Sequence, residues 1–290
     1  MSAGGDELSR RALVGGLGLG AASFALSGSA LAKDRGREAG APKRFEGKVA
    51  LVTGATSGMG AVTARALAAE GAAVAFCGRR DSEGAAVEKS IRDAGGEATF
   101  FKADVTDEAQ VAKLLAAVEG KYRKLDFAFN NVGTSDGSGL LHEVETRDFD
   151  TVLNTSLRSN FLQMKYELPL LLKNGAGVIV GNSSIAGLRY LANKPHYSAA
   201  KHGVIGLYCA AALGYASRNI RINVVCPGLI KTEKAMRVLG GNEHLMDGRI
   251  PMGHIGESQD VSAAVLWLFS DEARYVTGAV LPIDGGQSVV

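Results

Sequence analysis

The sequence predicts one doubly wound α/β domain, a parallel sheet with helices on both faces. Three observations carry this expectation. From Lys48 onward, short apolar runs alternate with longer helical patterns. The runs are apolar almost throughout, as strands covered on both faces must be. Glycine is abundant, with 38 residues against 6 prolines, which suits repeated tight turns between strands and helices.

The elements follow in order. Lys48 to Thr53 (KVALVT) reads as the first strand. Ala61 to Glu70 is an alanine-rich helix, closed by Gly71 at a C-cap position. Ala73 to Cys77 is a strand, Ser82 to Ala94 a helix ended by Gly95-Gly96, and Ala98 to Ala103 a third strand. Ala109 to Tyr122 is helical, Leu125 to Asn130 a strand, and Asp148 to Leu172 one long helix. Gly177 to Gly181, Ile220 to Val225 and Ala279 to Pro282 are further strands, separated by helices at His196 to Ala216 and Asp260 to Leu268. No linker interrupts this series, so residues 47–290 form a single domain.

Residues 1–32 stand apart. Ser9-Arg10-Arg11 precedes an uncharged stretch from Ala12 to Ala32 that ends Ala30-Leu31-Ala32. A basic start, an apolar middle and an A-x-A end make an export signal, and the paired arginines point to the twin-arginine route and the periplasm. Its many Gly and Ser residues argue against a stable membrane span. Residues 33–46 are charged, broken by Gly and Pro, and read as a linker.

Composition narrows the function. The chain is 46% hydrophobic and 21% charged with a net charge of +2, ordinary globular values without the basic excess of a nucleic-acid protein. Cys77, Cys209 and Cys226 lie in apolar stretches and form no CxxC pair, so they read as buried free thiols. No metal site is expected, because the histidines lack neighbouring ligands at metal spacing.

The first strand runs into Gly54-Ala55-Thr56-Ser57-Gly58-Met59-Gly60, and a helix follows. Glycines there let the backbone turn and approach a ligand, while the helix start offers free N–H groups and a positive dipole end to a pyrophosphate. The end of the second strand selects between dinucleotides, since an acidic residue there would bind a ribose 2′-OH. Instead Arg79 and Arg80 stand there, suited to a 2′-phosphate. The expectation is NADP(H) over NAD(H), with Arg79 the main contact.

Taken together, these motifs resemble the short-chain dehydrogenase/reductase family from about Gly47 to Gly286. Thr53-Gly-x-x-x-Gly-x-Gly60 is similar to its cofactor loop, Asp104-Val105 to its adenine contact, and Asn130-Asn131-Val132-Gly133 to its strand-end motif. Tyr197-Ser-Ala-Ala-Lys201 resembles the active-site signature, and Ser184 lies 13 residues earlier, the family's spacing for its serine. Pro227-Gly228, with Ile230 and Thr232 beyond, resembles the loop that holds the nicotinamide end. The resemblance implies a Rossmann-type fold, and cofactor contacts at those positions and at Asn131, Tyr197 and Lys201. It also implies a homotetramer or homodimer.

The chemistry follows from the residue types. Tyr197 and Lys201 are four apart on a predicted helix and share a face. An ammonium beside a phenol is expected to lower the phenol's pKa and make it a proton donor and acceptor near neutrality. Ser184 would steady the charge developing on a carbonyl oxygen. The expected reaction is hydride transfer between a carbonyl and a secondary alcohol. Ser156 stands where the family has an asparagine on the preceding helix: either it holds an extra water that relays protons to Lys201, the favoured reading, or turnover is reduced. Leu188, Tyr190 and His196, with Met236 and Leu239 from the loop after Pro227, are expected to line an apolar substrate pocket. Two other readings of the same motifs stay open: a degenerate binding protein, and an epimerase or dehydratase.

Overall fold

The computed structural model describes residues 43–242, 244 and 248–290. The expected export signal and most of the expected linker lie outside these residues. The linker boundary, however, is corrected. Phe45 is 2% exposed and meets the Phe127 ring edge-on at 5.4 Å. Burying a phenylalanine contributes about 2–3 kcal/mol, so the packed domain reaches back to Phe45 rather than starting at Gly47.

Seven parallel strands form one sheet in the order β3-β2-β1-β4-β5-β6-β7. They are β1 Val49–Thr53, β2 Ala73–Gly78, β3 Glu97–Lys102, β4 Phe127–Asn130, β5 Gly177–Asn182, β6 Ile220–Pro227 and β7 Val280–Ile283. The helices are α1 Gly58–Ala69, α2 Asp81–Asp93, α3 Glu108–Tyr122, α4 Thr146–Leu153, α5 Ser159–Asn174, α6 Pro195–Tyr215, α7 Glu233–Val238 and α8 Ser258–Phe269. The doubly wound expectation is met. Short α7, in the segment after Pro227, has no apolar periodicity long enough to announce it.

Alternation along the strands builds two cores. Ala50, Val52, Val74 and Phe76 face one side of the sheet with α1 and α8, while Val49, Leu51, Ala75 and Cys77 face the other with α3, α5 and α6. Every residue of β1 is buried, which explains its unbroken apolar run. The chain crosses over between β1 and β4, its neighbours in the sheet but not in sequence. Beyond the carboxyl ends of these two strands the crossovers diverge and leave a crevice.

The expected long helix from Asp148 is divided by a π turn, Asn154–Arg158, between α4 and α5. The Ser159 N–H donates to the Asn154 carbonyl, five residues back. This wide turn carries Ser156 toward the end of β4. Cys77 and Cys226 are buried free thiols as expected, but Cys209 is only half-buried.

Candidate active site

The glycine loop lies where the crevice opens. Gly54 and Gly58 take positive φ values of +62° and +54°, which bend β1 sharply into α1. Ser57 at the N-cap makes no side-chain bond to the first turn of α1. A cavity of about 480 Å³ follows the loop and is lined by Gly54, Thr56, Ser57, Gly58, Met59, Arg79, Arg80, Asp104, Val105, Asn131 and Thr232 among others. All of these were expected from sequence. Gly60 is instead packed inside, where a Cβ would lie 2.6 Å from the Gly54 carbonyl oxygen. Ile230 is 5% exposed and belongs to the core. Asn131 holds the loop from the β4 side, donating from Nδ2 to the carbonyls of Thr53 and Gly54, both at 3.2 Å.

The two arginines behave differently. Arg80 donates to Thr56 Oγ1 at 2.9 Å and Ser57 Oγ at 2.7 Å, and pairs with Glu83 at 3.2 Å. It is part of the cavity wall. Arg79 is mostly exposed, with a single loose ion pair to Asp104 at 3.9 Å. Asp104 itself accepts from the N–H and hydroxyl of Thr106 at 3.0 and 2.8 Å. A Cβ at Gly78 would lie 2.5 Å from Thr56 Cγ2, so a carboxylate side chain there would have to displace Thr56.

A second cavity, about 170 Å³, is lined by Ser184, Tyr197, Lys201, Pro227 and Gly228, and shares Met59, Asn131, Gly133, Thr134 and Lys234 with the first. The Ser184 hydroxyl lies close enough to the Tyr197 phenol to act on its pKa. Lys201 is 3% exposed, lies with Nζ 5.8 Å from the Tyr197 ring centroid, and donates to the Asn182 carbonyl at 2.8 Å.

The electrostatics correct one expectation. The Tyr197 phenol is raised above its ordinary pKa by burial, only partly offset by the neighbouring Ser184 hydroxyl. Burial also pulls Lys201 down to about 8. The ammonium is spent on Asn182 rather than on the phenol oxygen, so the expected lowering of the phenol is absent.

Ser156 is also corrected. It is fully buried, its hydroxyl donating to Thr134 O at 2.9 Å and accepting from Thr134 N at 3.0 Å. With its donor committed to backbone, it clasps the segment after β4 instead of donating to a relay water. Asn160 donates to the Ser156 carbonyl at 2.9 Å and accepts from the Tyr208 hydroxyl at 2.6 Å.

None of Leu188, Tyr190, His196, Met236 and Leu239 lines the cavity beside Tyr197. Leu188 packs on the core, and Tyr190 is exposed and stacked on His202. His196 is buried, its Nε2 2.8 Å from the Asp136 carbonyl, and it lines a separate hollow with Leu141 and Phe149. Met236 and Leu239 lie half-buried on and just after α7. Among the residues that do line it, Thr134, Ser135 and Lys234 escaped the sequence reading. Lys234 stands two residues beyond Thr232, close enough to have been suspected. Its ammonium reaches across to Thr134 Oγ1 at 3.1 Å and Asp136 at 3.3 Å.

Known proteins resemble this chain over most of its length. A family model described as enoyl-(acyl carrier protein) reductase matches residues 54–288. Cis-4-hydroxycyclohexanecarboxylate dehydrogenase of Sinomonas cyclohexanicum is 39% identical over 85% of this chain and 98% of its own. The 3β-hydroxysteroid dehydrogenase of Mediterraneibacter gnavus is 36% identical over 84% of this chain and 95% of its own. A crystal structure of a variant actinorhodin polyketide ketoreductase with NADPH superposes with a TM-score of 0.80, at 33% identity over 84% of this chain and 98% of that one.

Proposed function

Because this chain belongs to the short-chain dehydrogenase/reductase family of oxidoreductases, we propose that it interconverts a ring secondary alcohol and its ketone with NADP(H). The observation that carries the reading is the junction of the two cavities: the Ser184–Tyr197–Lys201 cluster opens directly onto the glycine-loop crevice. Two relatives named for alcohols borne on carbocycles support the substrate class.

The crevice fits a dinucleotide in its parts. The uncapped start of α1 is matched to a pyrophosphate, and Gly78 with the loosely engaged Arg79 favours a 2′-phosphate over a bare ribose. When bound, the nicotinamide nucleotide supplies or accepts hydride. The protein's own residues do the rest. Ser184 hydrogen-bonds the carbonyl oxygen as charge grows on it. Tyr197, with its raised pKa, keeps its proton at neutral pH and gives it to that oxygen during reduction. Lys201 places a positive charge beside this transfer, and Asn182 holds its ammonium in place.

Replacing Tyr197 with Phe removes the proton and keeps the ring. Turnover of a ring ketone with NADPH falls about a thousandfold while nucleotide binding is kept. A variant with most of its turnover intact would refute the assignment.

The N-terminal pattern adds a proposal of location, export by the twin-arginine route. The N-terminal residue of the mature protein in fractionated cells tests it, and an intact Met1 in the cytoplasmic fraction refutes it. Among the described residues no helix is long and apolar enough to cross a membrane.

A further inference from the structure

Beneath the site lies a buried polar cluster that the mechanism above does not use. Glu167 on α5 and Asn130 at the end of β4 are both fully buried, and Asn130 Nδ2 donates to Glu167 Oε2 at 3.0 Å. The two remaining oxygens of this pair, Glu167 Oε1 and Asn130 Oδ1, have no partner. A carboxamide and a carboxylic acid are complementary, each able to donate once and accept once. A carboxylate can complete only the first of these bonds, leaving both remaining oxygens unsatisfied in the core.

From this pairing we infer that Glu167 is a positioning residue that works in its neutral form, clamping Asn130 and so the strand end that carries Asn131 into the nucleotide crevice. The inference rests on the dinucleotide reading of that crevice. Asn131 directly follows the clamped residue and holds the Thr53 and Gly54 carbonyls of the glycine loop. Three residues beyond Asn131, Thr134 is fastened by Ser156. Among the described residues, the titratable groups that act on or are acted on by Glu167 are the Tyr208 hydroxyl from α6 and the Cys77 thiol from β2, and no cation is among them. Tyr208 is raised well above its ordinary value and Cys77 to about 12, so both stay neutral near pH 7. Burial raises Glu167 itself to about 7, within the working range of an enzyme.

The sign is fixed by linkage. A carboxyl whose folded pKa lies above its unfolded value stabilises the fold at low pH and loses that contribution as pH rises toward and through about 7. Ionisation then opens the clamp and loosens the grip on nucleotide.

Glu167→Gln is the decisive variant, because a carboxamide mimics the neutral acid at every pH. NADPH affinity and melting temperature are measured for both proteins between about pH 6 and about pH 8.5. The wild type is expected to lose about fivefold in affinity across a midpoint near 7, while Glu167→Gln stays near the wild-type value at low pH. Lys201 and the nucleotide phosphates titrate alike in both and cancel. Parallel slopes, or a flat wild type, overturn the inference. If neither protein binds NADPH or NADH, the nucleotide reading falls. The clamp is then judged on melting temperature alone, and an equal change in both proteins overturns it. If Glu167→Gln does not fold, the infrared band of a protonated carboxyl in the wild type decides. Loss of that band in step with affinity supports the clamp, and its absence at about pH 6 refutes it.

Discussion

Tyr197 and Lys201 are one helical turn apart, Tyr197 half-buried on the cavity wall and Lys201 buried behind it, yet the desolvation of each matters more than their mutual field. Burial keeps the phenol protonated and brings the amine to about 8. Ketone reduction therefore falls as pH rises through about 8 and Lys201 loses its charge. A pH profile of kcat/KM checks this, and Lys201→Arg, which stays charged, moves the limb upward. Arg79 and Arg80 divide along similar lines. Arg79→Ala raises the KM for NADPH about tenfold or more and leaves NADH unchanged, since a charge-assisted bond to a phosphate is worth about 1.5–3 kcal/mol. Arg80→Ala weakens both nucleotides, because Arg80 braces Thr56 and Ser57 in the glycine loop. Parallel measurement of the two cofactors separates the roles.

Among the elements, the π turn before α5 and the short helix α7 shape the site. The π turn aims Ser156 at the Thr134 backbone. A Cβ at Gly133 would lie 3.1 Å from Lys201 Nζ and 3.6 Å from Ser156 Oγ, so this strand end is packed tightly against the amine. Helix α7 is capped by Thr232, whose hydroxyl accepts from Ala235 N, and it lies across the crevice from the β4 loop. Lys234 bridges the gap to Thr134 and Asp136. The pair is more than half exposed, so its strength is modest and sensitive to salt. Lys234→Ala is expected to speed nucleotide release about two- to fivefold, an effect that high salt imitates in the wild type. Stopped-flow displacement of bound NADPH reads it out.

Across the whole molecule, apolar side chains remain in water. Tyr275 is fully exposed, Leu213 is 87% exposed and Phe161 is 49% exposed. Scattered singly, such residues are ordinary on a protein surface, so the homotetramer or homodimer rests on the family resemblance alone. Light scattering at micromolar concentration checks it, and Tyr275→Glu shifts the population toward smaller species if that face is used. The proposed export raises a further point, because an exported enzyme leaves the cytoplasmic supply of NADPH. The twin-arginine route carries folded proteins, so a nucleotide held tightly enough would travel with the chain. Absorbance of the purified, exported protein in the reduced-nicotinamide band tests this.

Local signals in the sequence determined a great deal. Alternating runs announced the strands, the glycine loop declared itself by residues whose backbone must turn within a few positions, and Tyr197 and Lys201 share a helix face by spacing alone. What only the tertiary structure decided are contacts between residues distant in the chain. Phe45 joins the core by reaching Phe127. Ser156, expected to hold a relay water, becomes a backbone clasp because Thr134 is there to receive it. Glu167 looks like one more charge on a helix until folding sets it against Asn130 in a medium that cannot solvate it. The physical reason is common to all three: burial and pairing are properties of a place in the fold, and periodicity and spacing report only on near neighbours along the chain.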